Sequence, residues 1–254
     1  MKKIDYRHNY ILFIDTETAN TFRVGKNLDI DYGLFYDLGL RVQDTKNRVY
    51  DEMSFINSDV YYDEAELIKS AYYADKMSRY DADIEAGFRK VATTLEIREI
   101  IHELIERYHI KYVCAHNARF DKSILDSTIR YITKSEFRYF LPYGVEWWDT
   151  MKMARSVIHK MPTYRRFCEE NNYITKNGGL STTAENLFRF ISKNPDFEES
   201  HTGLEDVQIE SEIFHYCQKQ HRKIERNLYK ENRLVKLSEF DIQLRHNMKI
   251  FPTI

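Results

Sequence analysis

An apolar run that ends in two acidic residues constrains this chain more than any other feature. Residues 9–14 are apolar apart from Asn9 and predict a buried β-strand, and Asp15 and Glu17 follow directly. Because side chains alternate between the two faces of a strand, both carboxylates point to the same face. Paired carboxylates are typical of a site for a hard divalent cation. The sequence therefore predicts a metal site where this strand ends.

Two later segments carry residues of the same kind. In Tyr112-Val-Cys-Ala-His-Asn117-Ala-Arg-Phe-Asp121, an asparagine and an aspartate follow another apolar run. In His201-Thr-Gly-Leu-Glu-Asp206, a histidine precedes an aspartate that opens a predicted helix at about 204–218. Taken alone, each aspartate would also suit a strand end or the first turn of a helix, where the helix dipole favours acidic residues. Taken together, the segments favour a single site.

The three segments resemble the motifs of the DEDD 3′–5′ exonuclease superfamily in its histidine-containing branch (DEDDh), which includes the proofreading exonucleases of replicative polymerases. The motifs of that family are a strand ending in Asp-x-Glu, an Asn-x-x-x-Asp segment after another strand, and His-x-x-x-x-Asp opening a helix. All three occur here in family order and span about residues 10–218. The resemblance implies an α/β fold of ribonuclease H type, with a mixed five-stranded sheet flanked by helices.

The resemblance also implies a two-metal mechanism. Two divalent ions, Mg²⁺ or Mn²⁺, about 3.5–4 Å apart activate a water and stabilise the departing 3′ oxygen. In this scheme Asp15 bridges both ions, and Glu17 and Asp206 complete the site that activates the water. Asp121 assists the second ion. His201 accepts the proton from the attacking water, a task that suits an imidazole with a pKa near 6.5.

The same likeness indicates residues that would contact the terminal nucleotide. These predicted substrate-binding residues are Thr16, Thr18, Ala19, Phe22 and Asn117. Main-chain groups around 16–19 and the Asn117 side chain would hold the terminal sugar. Many relatives have Thr-Gly after the first motif, whereas this chain has Thr18-Ala19. Phe22, or alternatively Val24, would supply the apolar wedge under the terminal base.

The predicted activity is removal of nucleoside 5′-monophosphates from the 3′ end of single-stranded DNA, in replication or repair and with a polymerase or repair partner. One alternative is an exoribonuclease acting on RNA or short oligonucleotides, because the choice rests on how one 2′-hydroxyl is accommodated. The alternative from another class is a non-catalytic module that binds nucleic acid or a polymerase. Such a module would be expected to have lost an acidic residue, and all four are present. A structural Ca²⁺ protein fails because the Asp-x-Asp-x-Asp-Gly loop is missing.

Composition adds three limits. The net charge of −2 provides no global attraction for nucleic acid, so local basic patches and bound metal would have to supply it. The three cysteines form no Cys-x-x-Cys pair, which argues against a zinc site and a disulfide framework and predicts reduced, buried thiols. No segment approaches the roughly 18 apolar residues of a membrane helix, and no signal peptide is recognisable. A soluble cytoplasmic protein is expected.

Periodicity predicts alternating strands and helices. The predicted strands are 32–42, 48–56, 111–115 and one ending near Asp149, and the predicted helices are 63–78, 94–108, 120–132 and one through Val157. Asp149 or Thr150 would be the N-cap of the last of these helices, and we interpret Asp149 as structural. Residues 1–218 are expected to form one exonuclease domain with a helical insertion at about 57–110, and residues 219–254 a C-terminal helical extension.

Two surfaces have open interpretations. The inserted segment carries five tyrosines at positions 61, 62, 72, 73 and 80. They would either stack on unpaired bases, at about 1–3 kcal/mol per base, or pack in a core, and the second interpretation is favoured. Likewise, Arg155, Lys160, Arg165 and Arg166 would either follow a phosphate backbone or form an ordinary solvated basic face, and the latter is again favoured.

Overall fold

The computed structural model describes residues 4–5, 8–19, 23–24, 27–28, 33–69, 71 and 77–225. The predicted wedge residue Phe22, the side chain of Val24, Tyr72, Tyr73 and the predicted extension beyond residue 225 lie outside these ranges.

The described strands form a six-stranded mixed sheet and a separate two-stranded ribbon. They are β1 (Tyr10–Ala19), β2 (Arg23–Val24), β3 (Asn27–Leu28), β4 (Leu34–Asp44), β5 (Val49–Asn57), β6 (Lys90–Ala92), β7 (Tyr112–Ala115) and β8 (Glu146–Asp149). The large sheet has the order β6-β5-β4-β1-β7-β8, and β2 pairs with β3. β4 is antiparallel to β1 and β5, whereas β7 runs parallel to β1 and β8, and β6 parallel to β5.

Helices cover both faces of the sheet. They are α1 (Ser58–Tyr61), α2 (Ala65–Ile68), α3 (Met77–Glu85), α4 (Thr94–Tyr108), α5 (Arg119–Ile132), α6 (Thr150–Val157), α7 (Pro162–Glu170), α8 (Ala184–Ser192) and α9 (Gly203–Lys219), with a 3₁₀ turn at Ile158–Lys160. Alternate residues of β1 enter opposite cores. Leu12 and Ile14 pack with α4 and α5, whereas Ile11 and Phe13 pack with α6 to α9. Burial on both faces explains why this strand is a continuous apolar run.

The predicted α/β fold is confirmed, with a sixth strand added at one edge. β6 lies within the inserted segment, and Phe55 pairs with Lys90 in parallel register. With only three residues, partly exposed, it shows no alternation that a sequence pattern could reveal. The prediction for helix 94–108 matches α4 at both ends. A capping box between Thr93 and Glu96 sets its start.

The predicted helix 63–78 is wrong. The structure has the short helix α2 and begins α3 only at Met77; residues 70 and 72–76 are outside the described ranges. Leu67 and Ile68 are both buried, together with Ala71, in a core that includes Tyr36. Packing against the end of the sheet overrides helix propensity in this segment.

The predicted base-stacking platform is not supported by the tyrosines that the structure describes. Tyr61 is 8% exposed and Tyr80 only 1%, so both belong to the core, as the favoured interpretation had it. Tyr62 is exposed. All three cysteines are buried free thiols. In the described ranges, no helix is both long enough and apolar enough to cross a bilayer.

Candidate metal and active site

β1 places Asp15 and Glu17 on one face, as predicted. Thr16 between them is buried, while both acidic side chains are partly exposed. The sequence placed these carboxylates at the end of the strand, but β1 continues past them to Ala19 beside β4, with a bulge between Glu17 and Thr18. On the other side, the register with β7 ends at Phe13. The two carboxylates therefore lie where a parallel neighbour stops, a common location for ligand sites in α/β sheets.

The first turn of α9 brings Asp206 to the same point. One carboxylate oxygen from each of Asp15, Glu17 and Asp206 lies within 4.8 Å of the others. Metal–oxygen bonds of about 2.0–2.6 Å place two ligand oxygens at most about 4–5 Å apart, so the spacing fits one hard divalent cation. The donor set, oxygen only, also suits Mg²⁺ or Mn²⁺.

Asp121 reaches the site from the first turn of α5. Its Oδ1 accepts hydrogen bonds from the main-chain N–H of Thr16 at 3.1 Å and from the Thr16 hydroxyl at 2.9 Å. The side chain is buried. This contact ties the second motif to the first across 105 residues of sequence.

Burial and repulsion between neighbouring carboxylates dominate the electrostatics of this cluster. Burial raises the pKa of Asp15 well above its usual value, and the nearby charges that raise it further are Glu210, Asp121, Asp206 and Glu17. Burial likewise raises the pKa of Asp121 to about 7, although the hydrogen bonds from Thr16 oppose that rise. A bound divalent cation would relieve this repulsion.

Glu210 is a member of the cluster that sequence reasoning missed. It lies one helical turn after Asp206 on α9 and is only 2% exposed. Within the described residues, its Oε2 atom has no hydrogen-bond partner. Burial raises its pKa well above the usual value, and the charges of Asp121 and Asp206 add to that rise. The sequence did contain a sign of this role, because Glu210 lies on the same helix face as the apolar residues Val207 and Phe214, which are buried.

His201 lies in the loop before α9, as predicted. Its φ of 53° is in the left-handed region, which non-glycine residues seldom adopt and which is enriched at functional sites. Its Nδ1 is 3.7 Å from Oε2 of Glu199, and its side chain is about one-third exposed. The N–H of Glu199 in turn donates to Glu185 at the start of α8, at 3.2 Å.

The second motif is organised by Asp149. Its Oδ1 accepts from the N–H of Asn117 at 3.1 Å and from the N–H of Met151 at 3.0 Å, which confirms Asp149 as the cap of α6. Asn117 has a φ of 64° and an exposed side chain. The neighbouring His116 is structural, since its ring nitrogens contact Thr150 and Thr182 and burial lowers its pKa to about 4.

Thr16 makes a contact that the sequence did not reveal, because its N–H and hydroxyl both donate to Asp121. Its contact with a terminal sugar stays a prediction. Ala19 is fully buried and pairs with Leu34 of β4, so the structure does not expose it to a substrate. Thr18 is partly exposed. Phe22 lies outside the described residues.

Known proteins resemble this chain in structure but not detectably in sequence. No protein-family model matches the chain, and no curated protein matches it. E. coli exonuclease I in complex with a dT13 oligonucleotide superposes with a TM-score of 0.53 at 15% identity, over 84% of this chain and 41% of that one. This chain thus spans less than half of exonuclease I. The nuclease domain of 3′hExo, described as a DEDDh family member and bound to rAMP, has a TM-score of 0.52 at 9% identity, over 89% of this chain and 98% of that domain.

A third neighbour is a 3′-exonuclease that recognises the 3′ end of a histone mRNA stem-loop, with a TM-score of 0.51 at 11% identity, over 85% of this chain and 84% of that one. At such low identities the likeness establishes the fold, and the chain has the ribonuclease H-like fold of DEDDh exonucleases.

Proposed function

We propose that this protein is a metal-dependent 3′–5′ exonuclease that releases nucleoside 5′-monophosphates from a free 3′ end. The observation that carries the proposal is the convergence of Asp15, Glu17 and Asp206 within 4.8 Å on a fold shared with exonucleases. Asp121 is held beside them by Thr16, and His201 precedes the helix that carries Asp206. The resembled motifs contain all five of these residues.

The acidic residues would hold two Mg²⁺ or Mn²⁺ ions. Asp15, Glu17 and Asp206 supply oxygens at a spacing that fits one ion, and Asp121 supplies the additional carboxylate for a second. When bound, such ions lower the barrier by activating a water and stabilising the departing 3′ oxygen. Their charge also offsets the repulsion that raises the pKa values of Asp15 and Asp121.

His201 serves as general base. A neutral imidazole takes the proton of the attacking water, and the Glu199 carboxylate 3.7 Å from Nδ1 stabilises the imidazolium that forms. Asn117, exposed beside the end of β7, is positioned to contact the terminal nucleotide. Thr18 stays in the proposal as a contact to the terminal sugar, whereas Ala19 is fully buried and Thr16 holds Asp121.

Single-stranded DNA is the favoured substrate, and RNA is the alternative. Exonuclease I, a neighbour in fold, is seen with DNA oligonucleotides, which favours DNA. Two other neighbours are described with rAMP or a histone mRNA stem-loop, which favours RNA. Nothing in the described residues supports the predicted polymerase or repair partner, and none is proposed.

Degradation of labelled strands tests the proposal. A 5′-labelled single-stranded DNA and the RNA of the same sequence are incubated with Mg²⁺ or Mn²⁺, and a ladder shortening from the 3′ end is expected. Asp15→Asn should abolish the ladder, while Asp63→Asn, at an exposed position, should not. A protein that binds the strand but yields no ladder with either ion would instead be the non-catalytic module.

A further inference from the structure

Asp37 of β4 joins the inserted segment to the start of α9. Its carboxylate is fully buried. Oδ2 accepts hydrogen bonds from the Gly203 N–H at 3.0 Å and from the Tyr80 hydroxyl at 3.0 Å. The Nη1 atom of Arg89 lies 3.0 Å from both carboxylate oxygens. Two of these donors come from the inserted segment, and the third is the first residue of the helix that carries Asp206.

Arg89 is itself fixed in place. It is buried, its Nε donates to Asp83 at 3.0 Å, and its Nη1 also contacts the Ser54 hydroxyl at 3.0 Å. The guanidinium lies 4.6 Å above the centre of the Tyr80 ring. A buried arginine with this many contacts has one orientation, so Asp37 is held rigidly.

The start of α9 depends on Asp37. The first N–H groups of a helix lack partners within the helix and need an acceptor from elsewhere. Thr202, the N-cap residue, provides no side-chain cap, because its hydroxyl donates to Glu205 at 2.6 Å. Gly203 also packs against main chain, since a Cβ on Gly203 would lie 2.5 Å from the nitrogen of Gly39. Asp37 and this close approach together fix where α9 begins.

A second contact from the inserted segment reaches Glu205, which contacts the loop that carries His201. Arg79 of α3 donates from Nη2 to both carboxylate oxygens of Glu205, at 3.0 and 3.2 Å. Glu205 in turn accepts hydrogen bonds from the hydroxyls of Ser200 and Thr202. These two residues flank His201. Arg79 therefore acts on the histidine loop through a carboxylate that both neighbours of His201 contact.

We propose that residues 77–92 are a positioning element for His201, which they hold through Asp37 and Glu205. The inference rests on the proposed function, in which His201 is the general base. Displacement of a catalytic group by about 1 Å can lower a rate by about a hundredfold. Hydrogen bonds and ion pairs that fix the position of His201 therefore affect catalysis directly. If the same contacts served folding alone, their loss would lower stability and leave turnover per folded molecule unchanged.

The variants that test this proposal must leave the fold intact. Arg89→Ala would leave the Asp37 charge buried without its partner, so it is a poor choice. Arg79→Ala removes an ion pair whose two side chains are about half exposed, and Tyr80→Phe removes only the hydroxyl that contacts Asp37. Lys69→Ala is the matched control, because it removes another exposed ion pair of the inserted segment, with Glu66.

The first measurement is amide hydrogen exchange of the metal-free, full-length chain. Arg79→Ala and Tyr80→Phe should accelerate exchange in residues 200–206 several-fold and leave β1 unchanged. Lys69→Ala should change neither region. Because exchange needs no activity, this result stands even if the exonuclease proposal fails. Unchanged exchange in residues 200–206 for both variants would overturn the positioning role.

The second measurement is turnover on single-stranded DNA. Arg79→Ala should lower kcat by about tenfold and leave KM unchanged, because a misplaced base slows chemistry rather than binding. In a His201→Ala background, Arg79→Ala should cause no further loss, since the group on which it acts is gone. Losses that multiply in the double variant would overturn the inference, whereas a wild-type protein without activity would overturn the proposed function alone.

Discussion

The Oδ1 atom of Asp121 is held by two donors of one residue, the N–H of Thr16 at 3.1 Å and its hydroxyl at 2.9 Å. Thr16 lies between the two metal-binding residues of β1, so this contact sets where the fourth carboxylate stands relative to Asp15 and Glu17. Thr16, whose main chain the sequence analysis assigned to the terminal sugar, thus aligns Asp121 with the two carboxylates of β1.

Replacement of Thr16 by valine tests this role. Valine keeps the volume and removes the hydroxyl, so Thr16→Val should lower the free energy of unfolding by about 1 kcal/mol and lower kcat without changing KM. Thr18→Val should instead raise KM, since Thr18 is the partly exposed neighbour. Urea denaturation and steady-state kinetics of the two variants separate the roles. A raised KM in Thr16→Val alone would return Thr16 to the substrate site.

Glu210→Gln should stabilise the metal-free protein and weaken metal binding. Glu210 is buried among acidic groups, and removal of the cost of burying an ionisable carboxyl there is expected to contribute about 1–3 kcal/mol, or roughly 2–10 °C in melting temperature. Loss of a charge beside the ligands should weaken affinity for Mn²⁺ about tenfold or more.

Calorimetric titration with Mn²⁺ and thermal melts in EDTA measure both effects. Glu212→Gln is the control, because Glu212 lies on the same helix and contacts Asn47 instead of the cluster. Equal metal affinity in Glu210→Gln and wild type would remove Glu210 from the metal site.

The stability of the metal-free protein should fall as pH rises. Burial raises the pKa of Asp121 from 3.8 to about 7, so the folded state keeps a proton that the unfolded chain has released. The stability that this proton contributes is present below about pH 4 and is lost as pH rises through 7. Asp15 and Glu210, whose pKa values burial also raises, act in the same direction.

His116 acts in the opposite direction. Burial lowers its pKa from 6.5 to about 4, so its contribution is lost only as pH falls below 6.5. The free energy of unfolding in EDTA should therefore decrease as pH rises from about 5 through 7, by up to about 1.4 kcal/mol per pH unit for each proton that only the folded state holds, and the melting temperature should fall with it. Asp121→Asn should show a smaller slope, and saturating Mg²⁺ should abolish the decrease. A melting temperature in EDTA that rises over this range would contradict the assignment.

Parts of the site were accessible from the sequence because they depend on local pattern. Strand alternation alone places Asp15 and Glu17 on one face, and a capping box defines the start of α4. Glu210 was not predicted as a site residue because an acidic residue on a buried helix face contradicts the apolar pattern that defines such a face. Acidic residues on other elements of the fold, such as Asp121, surround it.

Longer-range features were not accessible in the same way. The contacts of Asp37 with Arg89 and Gly203 join residues 52 and 166 positions apart, and no periodicity encodes them. β6 is too short to show alternation, α7 went unpredicted because its segment was interpreted as a basic surface, and no element was predicted for the residues of α8. The four cations of that surface, Arg155, Lys160, Arg165 and Arg166, are all exposed, as both interpretations of it require.

His201→Ala should lower kcat by about 10²–10⁴-fold, the usual contribution of a general base. Binding of Mn²⁺ should be unchanged, because the histidine is outside the carboxylate cluster. The rate of the wild-type enzyme should rise with pH on the acidic side, and that dependence should disappear in the variant. Turnover of His201→Ala equal to wild type would transfer the role of base to solvent or to another residue.

Single-stranded 3′ ends should be degraded faster than blunt duplex ends. The reason is the free energy of unpairing, which a single strand or a mismatched end does not require. Tyr61 and Tyr80 do not contribute to this preference, because they are buried in the core and cannot stack on bases. A net charge of −2 also offers little attraction to a duplex backbone.

Rates on single-stranded, mismatched and blunt duplex DNA at one salt concentration should therefore decrease in that order. A 3′-phosphate should inhibit strongly, because it brings further negative charge to the acidic cluster. Tyr62→Ala, at the exposed tyrosine of the inserted segment, should leave the ratio of the single-strand rate to the duplex rate unchanged. Equal rates on single-stranded and blunt duplex DNA would show that the terminal pair is not opened before hydrolysis.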